Sequence, residues 1–180
     1  MARDVEVQEA VGRLVDEICL NRPFTGLGEA AFLSLVWTWQ MVEEVGRTFF
    51  PRFGITGAQF NVLMILADFH GRAFRQHELA EILVVNRASI GSVLERMERD
   101  GWIERTPDPA DKRAILVSVA PAGEAKLAEV RAPYYRLLSE IFSREDEQDL
   151  RAMILFCDRL RAGIARLEPR ASAAARRRRK

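Results

Sequence analysis

Reactive and metal-binding side chains are scarce in this chain: its 180 residues include two cysteines and two histidines. Cys19 and Cys157 share no Cys-x-x-Cys spacing, which excludes a cysteine-built zinc module or a disulfide framework and fits a reduced, cytoplasmic protein. His70 and His77, with Asp68 nearby, match no strong ligand spacing, so no metal is expected. No nucleophile–base pair or phosphate loop accompanies the histidines, which argues against an enzyme and against a cofactor. No apolar run reaches the roughly 18 residues of a membrane span, and no secretory leader is expected. An excess of charge of one sign is lacking too. The net charge is +1, and it owes its sign to the closing run Arg176 to Lys180; residues 1–175 sum to −4. Even residues 75–113 hold seven cations against eight acids. Bulk charge therefore excludes very strong nonspecific binding to a polyanion, and any nucleic-acid reading has to rest on where the arginines sit.

What is present is apolar patterning, and hydrophobic residues make up 48% of the chain, enough for a core. The most informative stretch runs from Gln76 to Arg113. Ile90, Val93, Leu94 and Met97 fall at i, i+3, i+4 and i+7, the stripe of an amphipathic helix. Asn86 is placed to cap its start, and Gly101 to end it in a Schellman turn that brings Trp102 to Met97. The other face carries Arg87, Ser89, Ser92, Glu95, Arg96 and Arg99. Short hydrogen-bonding residues and an arginine at the N-terminal end suit a helix that enters a DNA major groove; a solvated surface face is the alternative. Before it, Leu79, Ala80, Ile82 and Leu83 predict a short helix, which completes a helix-turn-helix. After it, Trp102–Thr106 and the alternation Ile115, Val117, Val119 predict a two-stranded wing. The turn between them, residues 107–113, would carry Lys112 and Arg113 at its tip. Asp111 would brace Arg113 by a carboxylate–guanidinium pair; a plain charged hairpin is the alternative.

The flanks read as helices. Residues 4–20 are amphipathic, and Pro23 with Gly26 and Gly28 breaks the pattern. Residues 29–50 are apolar around much of their circumference, which predicts burial on more than one side, with Pro51 as the stop. Thr56 and Gln59 form a capping box for a helix buried through Phe60, Leu63, Met64 and Ala67. Pro121 opens the helix after the wing, and Pro133 is expected to kink or restart it. Ser143 with Asp146 would cap the last helix. In that helix Leu150, Met153, Cys157, Leu160, Ile164 and Leu167 repeat at coiled-coil spacing. Such a seam is a liability in a monomer, so a homodimer through the terminal helices is expected. The basic end, residues 169–180, is expected to be disordered, either a source of phosphate contacts or simply solubilising.

Thr56-Gly57-Ala58-Gln59-Phe60 with Leu63, Glu78-Leu79-Ala80, Asn86-Arg87-Ala88-Ser89-Ile90, Gly101-Trp102-Ile103-Glu104-Arg105 and Asp111-Lys112-Arg113-Ala114 together resemble the MarR family of winged-helix regulators, over roughly residues 55–128. Two departures stand out: Val119-Ala120 replaces a common Leu-Thr after the wing, and Gly91 stands where the family usually has a hydroxyl residue. The expected fold is mainly α with a small β-wing: N-terminal helices over 1–54, a winged helix-turn-helix over 55–120, C-terminal dimerisation helices over 121–168 and the basic tail.

The resemblance implies a homodimeric regulator, most often a repressor, that reads a pseudo-palindromic double-stranded operator and is released by a small molecule. On that reading Arg87, Ser89, Ser92 and Arg96 contact bases or phosphates, Asn86 caps the helix and reaches DNA, Arg75 and Gln76 hold phosphates, and Lys112 and Arg113 serve the wing. Aromatic effectors in this family often bind where the dimer helices meet the winged domain, which makes Trp37, Met41, Arg47, Phe50, Asn61 and Met64 candidates here. The N-terminal helix resembles that of the urate-responsive subgroup. No Trp precedes Trp37, however, and Asn61 stands near that subgroup's Asp position, so urate is not expected. Two alternatives remain: redox sensing through Cys19, against which both cysteines could simply be packed among apolar neighbours, and a winged module that binds protein.

Overall fold

The structure, a computed structural model, describes residues 2–69, 72–83 and 87–167, and of residues 2, 3, 87–89 and 112 the backbone alone. Seven helices and three short strands follow one another in it: α1 (Ala2–Glu17), α2 (Leu27–Phe49), α3 (Gly57–Asp68), β1 (Phe74–Arg75), α4 (Gln76–Ile82), α5 (Arg87–Arg99), β2 (Ile103–Asp108), β3 (Asp111–Val119), α6 (Pro121–Ile141) and α7 (Glu147–Ala165). They divide into two compact units, one ending at Arg131 and one beginning at Ala132, so the boundary falls inside α6. Among the described residues no helix is long and apolar enough to cross a membrane.

Local chemistry explains most of the boundaries. The Thr56 side chain accepts from the Gln59 amide at 3.2 Å while Gln59 Oε1 accepts from the Thr56 amide at 2.9 Å, so the expected capping box starts α3. α5 ends as its sequence predicts: Gly101 sits at φ 72°, the Trp102 amide donates to the Met97 carbonyl at 2.9 Å and the Gly101 amide to Glu98 at 3.0 Å. α2 has no side-chain cap at Gly26; instead Glu29, in its first turn, accepts from the Thr25 amide at 2.7 Å and from Arg22. A carboxylate there also suits the positive end of the helix dipole. Pro51 lies at the start of a 3-10 turn, Phe50–Phe53, and Phe49, Phe50, Phe53 and Phe60 stack with ring centroids 5.2 Å apart in each contact.

The core of the first unit is the winged domain. Phe60, Leu63 and Leu66 of α3, Leu79 of α4, Ile90, Leu94 and Met97 of α5, Phe74 and Val117 of the sheet, and Leu127 and Val130 of α6 are all buried. Each such side chain contributes roughly 1.5–3 kcal/mol by leaving water. α6 can approach because Gly123 has no side chain: a Cβ there would lie 2.0 Å from the Trp102 carbonyl oxygen.

Several expectations need correction. The wing sheet has three strands in the order β1-β3-β2, not two, because Phe74 and Arg75 pair antiparallel with Val117 and Leu116 along the otherwise open edge of β3. Two residues are too few to show a period-2 pattern. The hairpin turn is shorter than predicted: Asp108 pairs with Asp111, so Lys112 and Arg113 belong to β3 and not to a loop. Pro107 fits in β2 because that strand is an edge, and the register shifts at Pro107/Asp108. Ser143 does not cap α7; Asp146 does so alone, accepting from the Asp149 amide at 2.8 Å, while the Ser143 hydroxyl donates to the Glu140 carbonyl. α6 runs unbroken through Pro133, so the helix does not restart there. Burial of α2 on several sides is not met within one chain, since Phe32, Leu35, Val36, Trp39, Met41, Val42 and Val45 are exposed. Cys19 lies beyond the end of α1, at φ 52°, and is exposed, so it is not a packed cysteine; Cys157 is half-buried.

Candidate nucleic-acid interface

The predicted contacts that fall among the described residues can be placed one by one. On α5 the stripe Ile90, Leu94, Met97 is buried, which turns Ser92, Glu95 and Arg96 outward on the exposed face. Arg96 is 61% exposed and lies 4.0 Å from Asp100, a loose pair that leaves the guanidinium available. Asn86 and the side chains of Arg87, Ser89 and Lys112 lie outside the described residues. Arg113 is exposed near the start of β3. Asp111 does hold this segment, but by accepting from the Arg113 backbone amide at 3.0 Å and not from the guanidinium, which keeps that cation free to face outward.

Arg75 is engaged differently from the phosphate contact expected of it. Its guanidinium binds the Asp108 carboxylate, with Nε 2.7 Å and Nη2 2.6 Å from the same oxygen. The other Asp108 oxygen accepts from the Ala110 amide at 2.8 Å. The Ala110 amide and then the Arg75 guanidinium hold the Asp108 carboxyl below its ordinary range, against the opposing effect of burial. Asp108 was not singled out in the sequence. The available signal was an acid inside Pro-Asp-Pro, a context that favours a carboxylate bonding to its own turn.

Gln76, the first residue of α4, is half-buried, as is His77. With Arg75, Asp111, Arg113, Ala114 and Ile115 they line a groove of about 320 Å³ between the start of α4 and the turn end of β3. The Gln76 amide nitrogen also lies 3.3 Å from where a Cβ on Gly91 would be. One side chain thus stands where the helix-turn-helix, the recognition helix and the wing converge.

The effector candidates do not gather at this groove. Trp37 donates through its indole N–H to Glu17 of α1 at 3.0 Å. Arg47 pairs with Glu44 on its own helix, and Phe50 belongs to the phenylalanine stack. Met41 and Asn61 are exposed, and Met64 is half-buried. Asp68 pairs with Arg131 at 2.6 Å and His70 lies outside the described residues; no cluster able to hold a metal occurs among the described ones.

Comparison with known proteins agrees with this geometry. Residues 53–114 match the MarR family. The chain is similar to the transcriptional repressor YetL of Bacillus subtilis, at 27% identity over 66% of this chain and 72% of that one. It is also similar to the multiple antibiotic resistance protein MarR of Salmonella typhimurium, at 38% identity over 48% of this chain and 58% of that one. Its fold matches that of a mutant E. coli MarR crystallised with operator DNA, with a TM-score of 0.64 at 24% identity, covering 72% of this chain and 95% of the other. The proteins it resembles are regulators and not enzymes. Through its winged helix-turn-helix, this chain is similar to the MarR family of regulators.

Proposed function

We propose that this protein is a sequence-specific, double-stranded-DNA-binding regulator of transcription that works as a homodimer, as a repressor. The observation that carries the reading is the convergence at Gln76 of three elements a winged helix uses on DNA: the start of α4, the recognition helix α5 and the wing strand bearing Arg113. Ser92 and Arg96 would reach the major groove, with Arg87 and Ser89 ahead of them on the same helix. Arg113, with Lys112, would meet the minor groove, where a narrow groove's negative potential favours arginine. Asn86 would cap α5 and Gln76 would touch the backbone or a base. Arg75 would act through Asp108, by positioning the wing.

Dimerisation is supported by the exposed apolar faces: Met153, Ile154, Leu155, Phe156 and Ile164 on α7 and Leu167 just beyond it all face water in the single chain, as does most of α2. A monomer rarely leaves so much apolar surface uncovered. Two recognition helices related by a two-fold axis would read half-sites about one DNA turn apart. A small aromatic effector near Trp37, Met41, Arg47, Phe50, Asn61 and Met64 would release DNA by favouring a dimer with different spacing, which requires unequal affinity for the two states. Cytoplasmic location fits this role.

The test is a gel shift on upstream DNA and on DNA selected from a random pool, across a salt series and with excess competitor. A discrete complex that weakens with salt and is impaired in Arg113→Ala is the expected result. No enrichment from the random pool would overturn the reading and leave a winged module that binds protein.

A further inference from the structure

Gly91 is an odd residue for the middle of a recognition helix. Glycine is the poorest helix former after proline. Backbone freedom does not account for it: among the described residues only Gly54 and Gly101 are glycines at positive φ, and Gly91 is helical. Space does. A Cβ at Gly91 would lie 3.3 Å from Gln76 Nε2, closer than ordinary contact, and among the described residues no other neighbour crowds the position within 4 Å. The missing side chain is the room in which the Gln76 carboxamide lies. That carboxamide sits at the edge of the reading face, since Ser92, the next residue of α5, is exposed, and it also lines the groove that Arg113 borders.

We infer that Gly91 and Gln76 form one specificity-determining unit: the glycine admits the Gln76 carboxamide onto the recognition helix, and the carboxamide supplies from α4 the base-reading group that position 91 lacks. The inference rests on the DNA-binding reading above. A primary amide offers two donors and an acceptor, and its match in the major groove is the donor–acceptor edge of adenine. A contact to phosphate alone would carry no sequence information, and that difference makes the assignment testable.

The experiment uses the full chain and DNA that the wild-type protein has enriched from a random pool, with every base pair of a half-site substituted in turn. Gln76→Ala is expected to lose discrimination on the order of tenfold at one or two base pairs and little elsewhere. Gly91→Ser, which fills the space, is expected to change preference at those same base pairs while its melting temperature stays at or above that of the wild type, so unfolding cannot account for the loss. In the double variant Gly91→Ser should add little, because no carboxamide remains to displace. Uniform weakening on every sequence by Gln76→Ala would make Gln76 a phosphate contact and overturn the inference, as would additive effects at different base pairs. Failure of the wild type to enrich any DNA would instead bring down the DNA-binding reading, and this inference with it.

Discussion

Arg75 and Asp108, 33 residues apart, tie β1 and the start of α4 to the turn of the wing. Two of the guanidinium nitrogens, Nε and Nη2, meet one carboxylate oxygen, and the other oxygen holds the Ala110 amide. The Asp108 side chain is 8% exposed and that of Arg75 35%, so the acid is the buried partner and the arginine reaches in from the edge. The pair serves as a strut: it fixes the wing relative to the helix-turn-helix, and through the same residue α4 begins, since the Arg75 amide donates to Glu78 at 2.7 Å.

If the strut positions the wing, Asp108→Asn and Arg75→Ala should each weaken DNA binding several-fold and lower the urea midpoint. The double variant should be scarcely worse than the worse single one, because partners in one ion pair are not additive. A double-mutant cycle read on both affinity and unfolding checks this. Simple addition of the two losses would mean that Arg75 acts on DNA independently.

Glu29 sets an acid limit on the N-terminal helices. The Arg22 guanidinium, then the Thr25 amide, hold its carboxyl at about 2, below the ordinary 4.5. Between those two values the unfolded chain takes up a proton that the folded chain refuses, so stability falls as pH drops through the window. Above pH 4.5 the contribution is complete. Acid titration of stability should therefore be shallower in Glu29→Gln than in the wild type, and the two curves should converge near pH 2. Parallel curves over that range would show that the pair contributes nothing.

Gly123 is predicted to tolerate no side chain. A Cβ would meet the Trp102 carbonyl oxygen at 2.0 Å and its carbon at 2.9 Å, both backbone atoms that no rotamer change can move. Overpacking of this kind costs about 3 kcal/mol or more, since α6 has to shift from the sheet. Denaturant unfolding of Gly123→Ala measures it; a loss under about 1 kcal/mol would mean that the helix start is adjustable.

Leu160 and Ile164 are 36% and 50% exposed on α7, so a charge at either should be tolerated by the single chain. In a dimer through this helix the same charge would be buried. Leu160→Glu and Ile164→Glu should then weaken dimerisation on the order of 30-fold or more, as interface hot spots do. Sedimentation equilibrium reads the outcome, and unchanged dimers would place the interface on other faces, α2 foremost.

The sequence alone determined the parts of this protein that short-range chemistry specifies. The buried stripe of α5, its Gly101 ending and the Thr56–Gln59 box each involve residues within about two helical turns, where periodicity and capping act directly. Those segments also carried the resemblance to the MarR family, so fold class and domain type were legible from residues alone. The tertiary structure decided what depends on residues far apart in the chain. A two-residue strand has no pattern of its own, and β1 exists because β3 offers it an edge. Arg75 reads as a phosphate contact until Asp108 is brought beside it, and Gly91 reads as a weak spot in a helix until Gln76 fills the gap. The apolar surplus of α2 reads as core plus dimer contact, and the packing of the single chain decides which part of it stays uncovered. In each case the side chain's partner is set by how elements pack, and a partner 15 or more residues away leaves no mark on the local sequence.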